Sequence, residues 1–98
     1  MIASDDARIG TIAATYRLLG DPTRLKVLLA CLEGPISVGD IAARVGASQP
    51  LVSHHLRLLR GARLVRGERH QRRVLYATAD AHISDMLRDM LDHAAEPY

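Results

Sequence analysis

The sequence predicts a mainly α fold with a β-hairpin, a winged helix-turn-helix, and three observations predict it. Apolar residues recur at helical spacing in four successive segments before residue 62. Each break between those segments carries Gly, or a Ser or Asp fit to cap the next helix. The period then shortens to two strand-like runs, Leu64-Val65-Arg66 and Val74-Leu75-Tyr76, before a last helical stretch.

Ninety-eight residues make one domain, residues 1–98. A chain of this length buries roughly two-thirds of its unfolded surface, so dimerisation would help it. With no Phe or Trp, the core must come from Leu, Ile, Val and Ala. No apolar run approaches the roughly 18 residues that span a bilayer. The start, Met-Ile-Ala-Ser-Asp-Asp, lacks the basic and apolar regions of a signal peptide. The single cysteine, Cys31, lies between Ala30 and Leu32 and reads as a buried thiol of a cytoplasmic protein.

The first helix is expected around Asp5 to Leu19, with Ile9, Ile12, Ala13 and Tyr16 on one side and Gly20 at its end. Asp21-Pro22 restarts the chain, Asp as N-cap and Pro at the first helical position. The second helix then carries Leu25, Leu28, Leu29 and Leu32 and stops at Gly34-Pro35. Ser37-x-x-Asp40 reads as a capping box for a short third helix through Ile41, Ala42 and Val45. After the turn at Gly46-Ala47, Ser48 caps a fourth helix over about residues 48–62, with Pro50 in its first turn. A wing is expected over about residues 64–77, with Gly67 to Arg72 as its polar turn.

A short helix, a glycine turn and a capped second helix make a helix-turn-helix, and a basic hairpin after it makes a winged one. Net charge is only +2, yet seven arginines fall between His54 and Arg73 against Glu68 alone. That distribution suits a polyanion. On the fourth helix Gln49, Ser53 and His54 lie opposite Val52, Leu56 and Leu59. Gln pairs two-point with adenine, and Ser and His reach base edges. Ser48 and Pro50, which open the same helix, are further candidate DNA contacts, while Arg57, Arg60, Arg69 and Arg72 suit phosphates or a minor groove. Double-stranded operator DNA is the expected partner.

The last helix carries the reverse charge: five acids from Asp80 to Glu96 against Arg88 alone. Its apolar stripe is Ile83, Met86, Leu87, Met90, Leu91 and Ala94. Asp80, His82, His93 and Glu96 are candidate metal ligands. His82 and His93 share a face, about 20° apart around the axis, but lie about 16 Å apart along it. Zn–N bonds of about 2 Å forbid one ion from touching both on one helix. An antiparallel second copy brings the Asp80/His82 end of one chain to the His93/Glu96 end of the other, giving two identical shared sites in a homodimer. Asp80 must then sit at or before the helix start. A merely solvated acidic face is the alternative reading of the same residues.

Together these segments resemble the bacterial ArsR/SmtB family of metal-responsive repressors. Leu19-Gly20-Asp21-Pro22-Thr23-Arg24-Leu25-Lys26-Val27-Leu28 is similar to the family's second-helix signature. Ser48-Gln49-Pro50-Leu51-Val52-Ser53-His54-His55-Leu56 looks like its recognition helix, and Arg73-Val74-Leu75-Tyr76 like its second wing strand. The resemblance implies a homodimer built on the first and last helices. It also implies a choice of sensing site. The thiol site of the third helix is absent, since Ser37-Val38-Gly39-Asp40 carries no cysteine. The family's C-terminal-helix pattern, D-x-H…H-x-x-E/H, matches Asp80, His82, His93 and Glu96, with Glu in the fourth place.

Two imidazoles and two carboxylates suit four-coordinate Zn(II), the expected metal, or Co(II). Six-coordinate Ni(II) binds by affinity order but would draw on a longer tail than Glu96-Pro97-Tyr98. The expected function is repression of an efflux or uptake gene, relieved when metal binds. A second-sphere hydrogen bond from His93 to the backbone of Arg63 is expected to carry the signal. The alternatives are a constitutive repressor whose metal only staples the dimer, and an enzyme. For an enzyme, no nucleophile, base or open metal position is visible.

Overall fold

The computed structural model describes residues 2–97. Met1 and Tyr98, which bound the leader and tail readings above, lie outside the described residues. The chain runs α1 (Ile2–Leu19), α2 (Pro22–Ala30), β1 (Ile36–Ser37), α3 (Val38–Val45), α4 (Gln49–Gly61), β2 (Val65–His70), β3 (Arg73–Thr78) and α5 (Ala81–Ala95).

Most starts follow from their caps. Asp21 Oδ1 accepts from Thr23 N (3.0 Å) and Arg24 N (3.3 Å), with Pro22 in the first turn. Ser37 Oγ accepts from Asp40 N (3.2 Å), and Ser48 Oγ from Leu51 N (3.3 Å). Each satisfies an amide that the helix itself leaves unpaired. The stop of α3 is a left-handed cap at Gly46, φ 71°, where a side chain would be strained.

The structure departs from expectation in five places. Helix α1 starts at Ile2 rather than near Asp5. Helix α2 ends at Ala30, because Cys31 N and Leu32 N fold back in tight bonds to Leu28 O and Leu29 O, so Leu32 lies beyond the helix. The segment before α3 is a strand: Ile36 and Ser37 pair with Tyr76 and Leu75, making a three-stranded antiparallel sheet ordered β1-β3-β2. Two residues are too few to show a period of two. The wing's strands also run further than expected, from Val65 opposite Thr78 to His70 opposite Arg73. Its turn is therefore Gln71-Arg72, with Gln71 at φ 58°, and not the whole of Gly67–Arg72. Finally, Glu96 is the C-cap of α5, in extended backbone, rather than a helical residue.

The core joins α2, α3, α4 and the base of the wing. Val27, Leu28, Ile41, Val52, Leu56 and Leu59 are buried, with Leu64, Val65 and Leu87 closing the ends. Cys31 is wholly buried, and desolvation pushes its thiol up to about 12, so it stays protonated. Helix α1 contributes little to this core. Ile9, Ile12 and Tyr16 are 61%, 52% and 55% exposed, and Met90 and Leu91 on α5 are 57% and 47% exposed. A cleft of about 300 Å³ opens between these helices, lined by Tyr16, Leu19, Leu25, Leu29, Met90 and Leu91 among others. Scattered exposed apolar residues are ordinary, but a continuous band on two adjacent helices marks a contact surface.

Candidate DNA-reading and metal-binding sites

Helix α4 is amphipathic for a physical reason: Val52, His55, Leu56 and Leu59 form its buried stripe, and the remainder must face solvent. Gln49, Pro50, His54 and Arg57 are exposed, and Ser53 is half-buried. Ser48 is exposed, with its hydroxyl oxygen engaged as the cap. The Gln49 amide lies over the first turn of α3, beside Gly39. Arg69 and Arg72 are exposed on the wing, as the sequence suggested.

Not all seven arginines are available to a partner. Arg66 Nε donates to Thr78 O (3.3 Å) and its Nη1 lies 3.3 Å from Glu68 Oε1, so it braces the hairpin. Glu68 spends its charge there, and its other oxygen is buried without a protein partner. Between α4 and the wing, a groove is lined by Ser53, Arg57, Arg60 and Tyr76. On the wing beside it, a Cβ at Gly67 would crowd Val74 Cγ1 at 3.3 Å. From sequence Tyr76 reads only as a strand residue, since its place beside α4 depends on strand register.

His55 carries no functional signal in the sequence beyond its place in the helix. Its spacing from Val52 and Leu59 put it on the inward stripe, and the structure buries it, with 4% exposed. Its Nδ1 accepts from Arg24 Nε at 3.3 Å.

The four candidate ligands lie along α5. Asp80 is the N-cap, Oδ1 accepting from Ile83 N (3.1 Å), so it stands just before the helix. His82 Nδ1 is 3.6 Å from the same oxygen, and its side chain is 96% exposed. His93 and Glu96 are exposed at the other end. Among the described residues, no three His, Cys, Asp or Glu side chains converge within one chain. Asp80 and His82 are thus brought together, His93 and Glu96 stand three residues apart, and the two pairs remain separated by the length of the helix. The donor set itself, imidazole nitrogen and carboxylate oxygen on freely hydrated side chains, fits a borderline divalent cation.

Arg63 has φ 63°, unusual for a residue with a side chain. Leu64 N returns to Leu59 O (2.9 Å) and Arg63 N to Arg60 O (3.0 Å), the paired bonds of a Schellman cap on α4. Arg63 shares a cleft with Ile83 and Met86, in the first half of α5. His93 lies ten residues beyond Ile83, roughly 15 Å along the axis. The expected bond from His93 to the backbone of Arg63 is therefore not made within one chain.

Residues 21–66 match the family described as bacterial regulatory protein, arsR family. Over 90 residues the chain is 36% identical to the HTH-type transcriptional regulator NmtR of Mycobacterium tuberculosis (strain ATCC 25618 / H37Rv), covering 92% of this chain and 75% of that protein. It is 39% identical over 85 residues to the transcriptional repressor SmtB homolog of Synechocystis sp. (strain ATCC 27184 / PCC 6803 / Kazusa), covering 87% of this chain and 64% of that one. The solved structure of the cadmium metal-sensor CMTR from Mycobacterium tuberculosis superposes with a TM-score of 0.72 at 36% identity, over 88% of this chain and 95% of that one.

Proposed function

The chain belongs to the bacterial arsR family of regulatory proteins, and from that premise we propose that it is a homodimeric repressor that leaves its operator when a divalent metal binds α5. It is a winged helix-turn-helix DNA-binding regulator rather than an enzyme. The metal-responsive part rests on one observation: Asp80/His82 and His93/Glu96 are two exposed half-sites at opposite ends of one helix, and neither is complete alone. That a solved relative is a cadmium metal-sensor supports the same direction.

Asp80, His82, His93 and Glu96 are the proposed ligands, with each site shared between two antiparallel copies of α5. A bound Zn(II) ion, or Co(II) or Ni(II) in its place, would supply ligand bonds that tie the two helices together. The apolar bands of α1 and α5 supply the rest of the interface. In this arrangement His93 of one subunit falls beside the partner subunit's Arg63, since that residue flanks the start of its own α5. The second-sphere bond then runs between subunits, from the second ring nitrogen of His93 to that backbone carbonyl.

On the DNA side, Gln49, Ser53 and His54 face base edges, while Ser48 and Pro50 set the helix entry. Arg57, Arg69 and Arg72 hold phosphates. Two recognition helices about 34 Å apart would occupy successive major grooves of a palindrome. Domain roles follow: α1 and α5 dimerise, residues 48–62 read, residues 64–77 form the wing.

The test is operator affinity with and without Zn(II), Co(II), Ni(II) and Cd(II) at buffered free concentrations. Release with wild type and none with His93→Ala is expected. Equal DNA affinity with and without every metal, despite metal binding, would leave a dimer staple instead.

A further inference from the structure

One guanidinium joins three helices. Arg24 Nη1 donates to Leu18 O in the last turn of α1 (3.0 Å), and its Nε donates to His55 Nδ1 on α4 (3.3 Å). Its Nη2 lies 3.8 Å from Asp21 Oδ2, the cap of its own helix α2. The joint is nearly dry: the Arg24 side chain is 14% exposed and His55 4%. An apolar side chain at position 55 would complete the buried stripe of α4 without the desolvation cost of a polar pair, so packing alone does not account for the histidine. What the pair adds is direction. It fixes the end of α1, whose outer face is the apolar band, to the inner face of the helix that reads DNA.

We propose that Arg24 and His55 form a positioning joint through which α1 sets the angle of the recognition helix, and that operator binding weakens on acidification when His55 takes up a proton. The proposal rests on the operator-binding reading above.

The chemistry of the joint is one-sided. Nδ1 accepts only while it carries no proton, so the ring is neutral with its hydrogen on Nε2. Protonation would turn the acceptor into a donor and face it with a second cation. Burial is the largest cause holding the His55 pKa below the ordinary histidine value, and Arg24 and His54 add to it, while Asp21 opposes them. Those three are the charged and titratable groups that bear on the ring: Arg24 from α2, Asp21 from the cap before it and His54 from α4. A depressed folded value means the neutral joint is fully present above the unfolded value and is lost as pH falls through the folded one. Exposed His54 and His70 lie on the DNA face, and the His55→Gln variant, which keeps both, separates them from the joint.

A duplex of about 30 base pairs, selected by the wild-type chain from a randomised pool, serves as the probe. Its affinity is measured at fixed ionic strength from about pH 7.5 down to the lowest pH at which circular dichroism shows an intact fold. Wild type should weaken by about tenfold, the loss of one hydrogen bond to a charged group. His55→Gln keeps an acceptor for Arg24 but does not titrate. It should bind like wild type at the upper pH and lose the acid fall. His55→Leu should bind about tenfold more weakly at both ends. Should His55→Leu fail to fold, the Gln variant decides. An acid fall that survives in His55→Gln, a wild type with no acid fall, or a folded His55→Leu with wild-type affinity each overturns the joint. Failure of wild type to select any duplex overturns the operator-binding reading itself.

Discussion

At the scale of single residues, two side chains show how local chemistry sets behaviour. Arg63 occupies the left-handed position of a Schellman cap, where glycine is the usual occupant and a side chain costs about 1 kcal/mol. Glycine is present two residues earlier, at Gly61, but that residue is still helical. Arg63→Gly should therefore leave stability unchanged or raise it by up to about 1 kcal/mol, read as the thermal midpoint. Because the proposed link uses the backbone carbonyl, metal-dependent release from operator should survive; its loss would assign the coupling to the arginine side chain. Cys31 is the second case. With its thiol pushed up to about 12 by burial, it should resist alkylation until the chain unfolds. The sign of its pH effect follows: the unfolded thiol ionises from about pH 9 while the folded one does not, so stability falls as pH rises from there towards about 12. Alkylation faster than global unfolding, as timed by circular dichroism, would contradict the burial.

At the scale of elements, α5 has two unequal faces. Leu87 anchors it to the core, while Met90 and Leu91 and the polar edge with His82 and His93 are exposed. Site sharing makes a stoichiometric prediction. His82→Ala and His93→Ala homodimers should each lose both metal sites. Heterodimers of the two variants carry one intact and one doubly damaged site, and should bind one ion per dimer. Verified heterodimers that bind none would refute sharing. The separation of His82 from His93 along α5 was legible from the sequence, because eleven residues of helix set the spacing whatever the surroundings. The wing was less legible: its strands extend to His70 and Arg73 because cross-strand pairing recruits polar residues with little strand pattern of their own.

At the scale of the whole molecule, α1 is the least supported part of the fold as a single chain. Its apolar residues Ile9, Ile12 and Tyr16 meet no core, and the cleft beside them is open. A domain of this size gains stability by covering such a band, which is what dimerisation would do. Ile12→Glu or Met90→Glu places a charge in that band. Each variant should be monomeric by sedimentation at concentrations where wild type is a dimer. Operator affinity should fall by at least about a hundredfold, since one recognition helix is lost from the complex. A Met90→Glu chain that still dimerises and binds operator as wild type would move the interface elsewhere.

The sequence by itself determined the helices, their caps at Asp21, Ser37 and Ser48, the inward stripe of α4, the basic wing and the opposed charges of α5. Each of these depends on neighbours within about a turn or a heptad, so local spacing suffices to read them. It also placed Asp80 at the helix start, through the geometry of residues two apart. Only the tertiary structure decided the rest. Strand β1 exists because Tyr76 and Leu75 lie beside Ile36 and Ser37, a pairing across about forty residues that leaves no local mark. Arg66 is braced by Thr78 and Glu68, and Arg24 by Leu18 and His55, because folding brings those groups within hydrogen-bond reach. Identical arginines in sequence thus become brace, joint or exposed charge according to what the fold sets beside them, and the partners within reach rather than composition decide which.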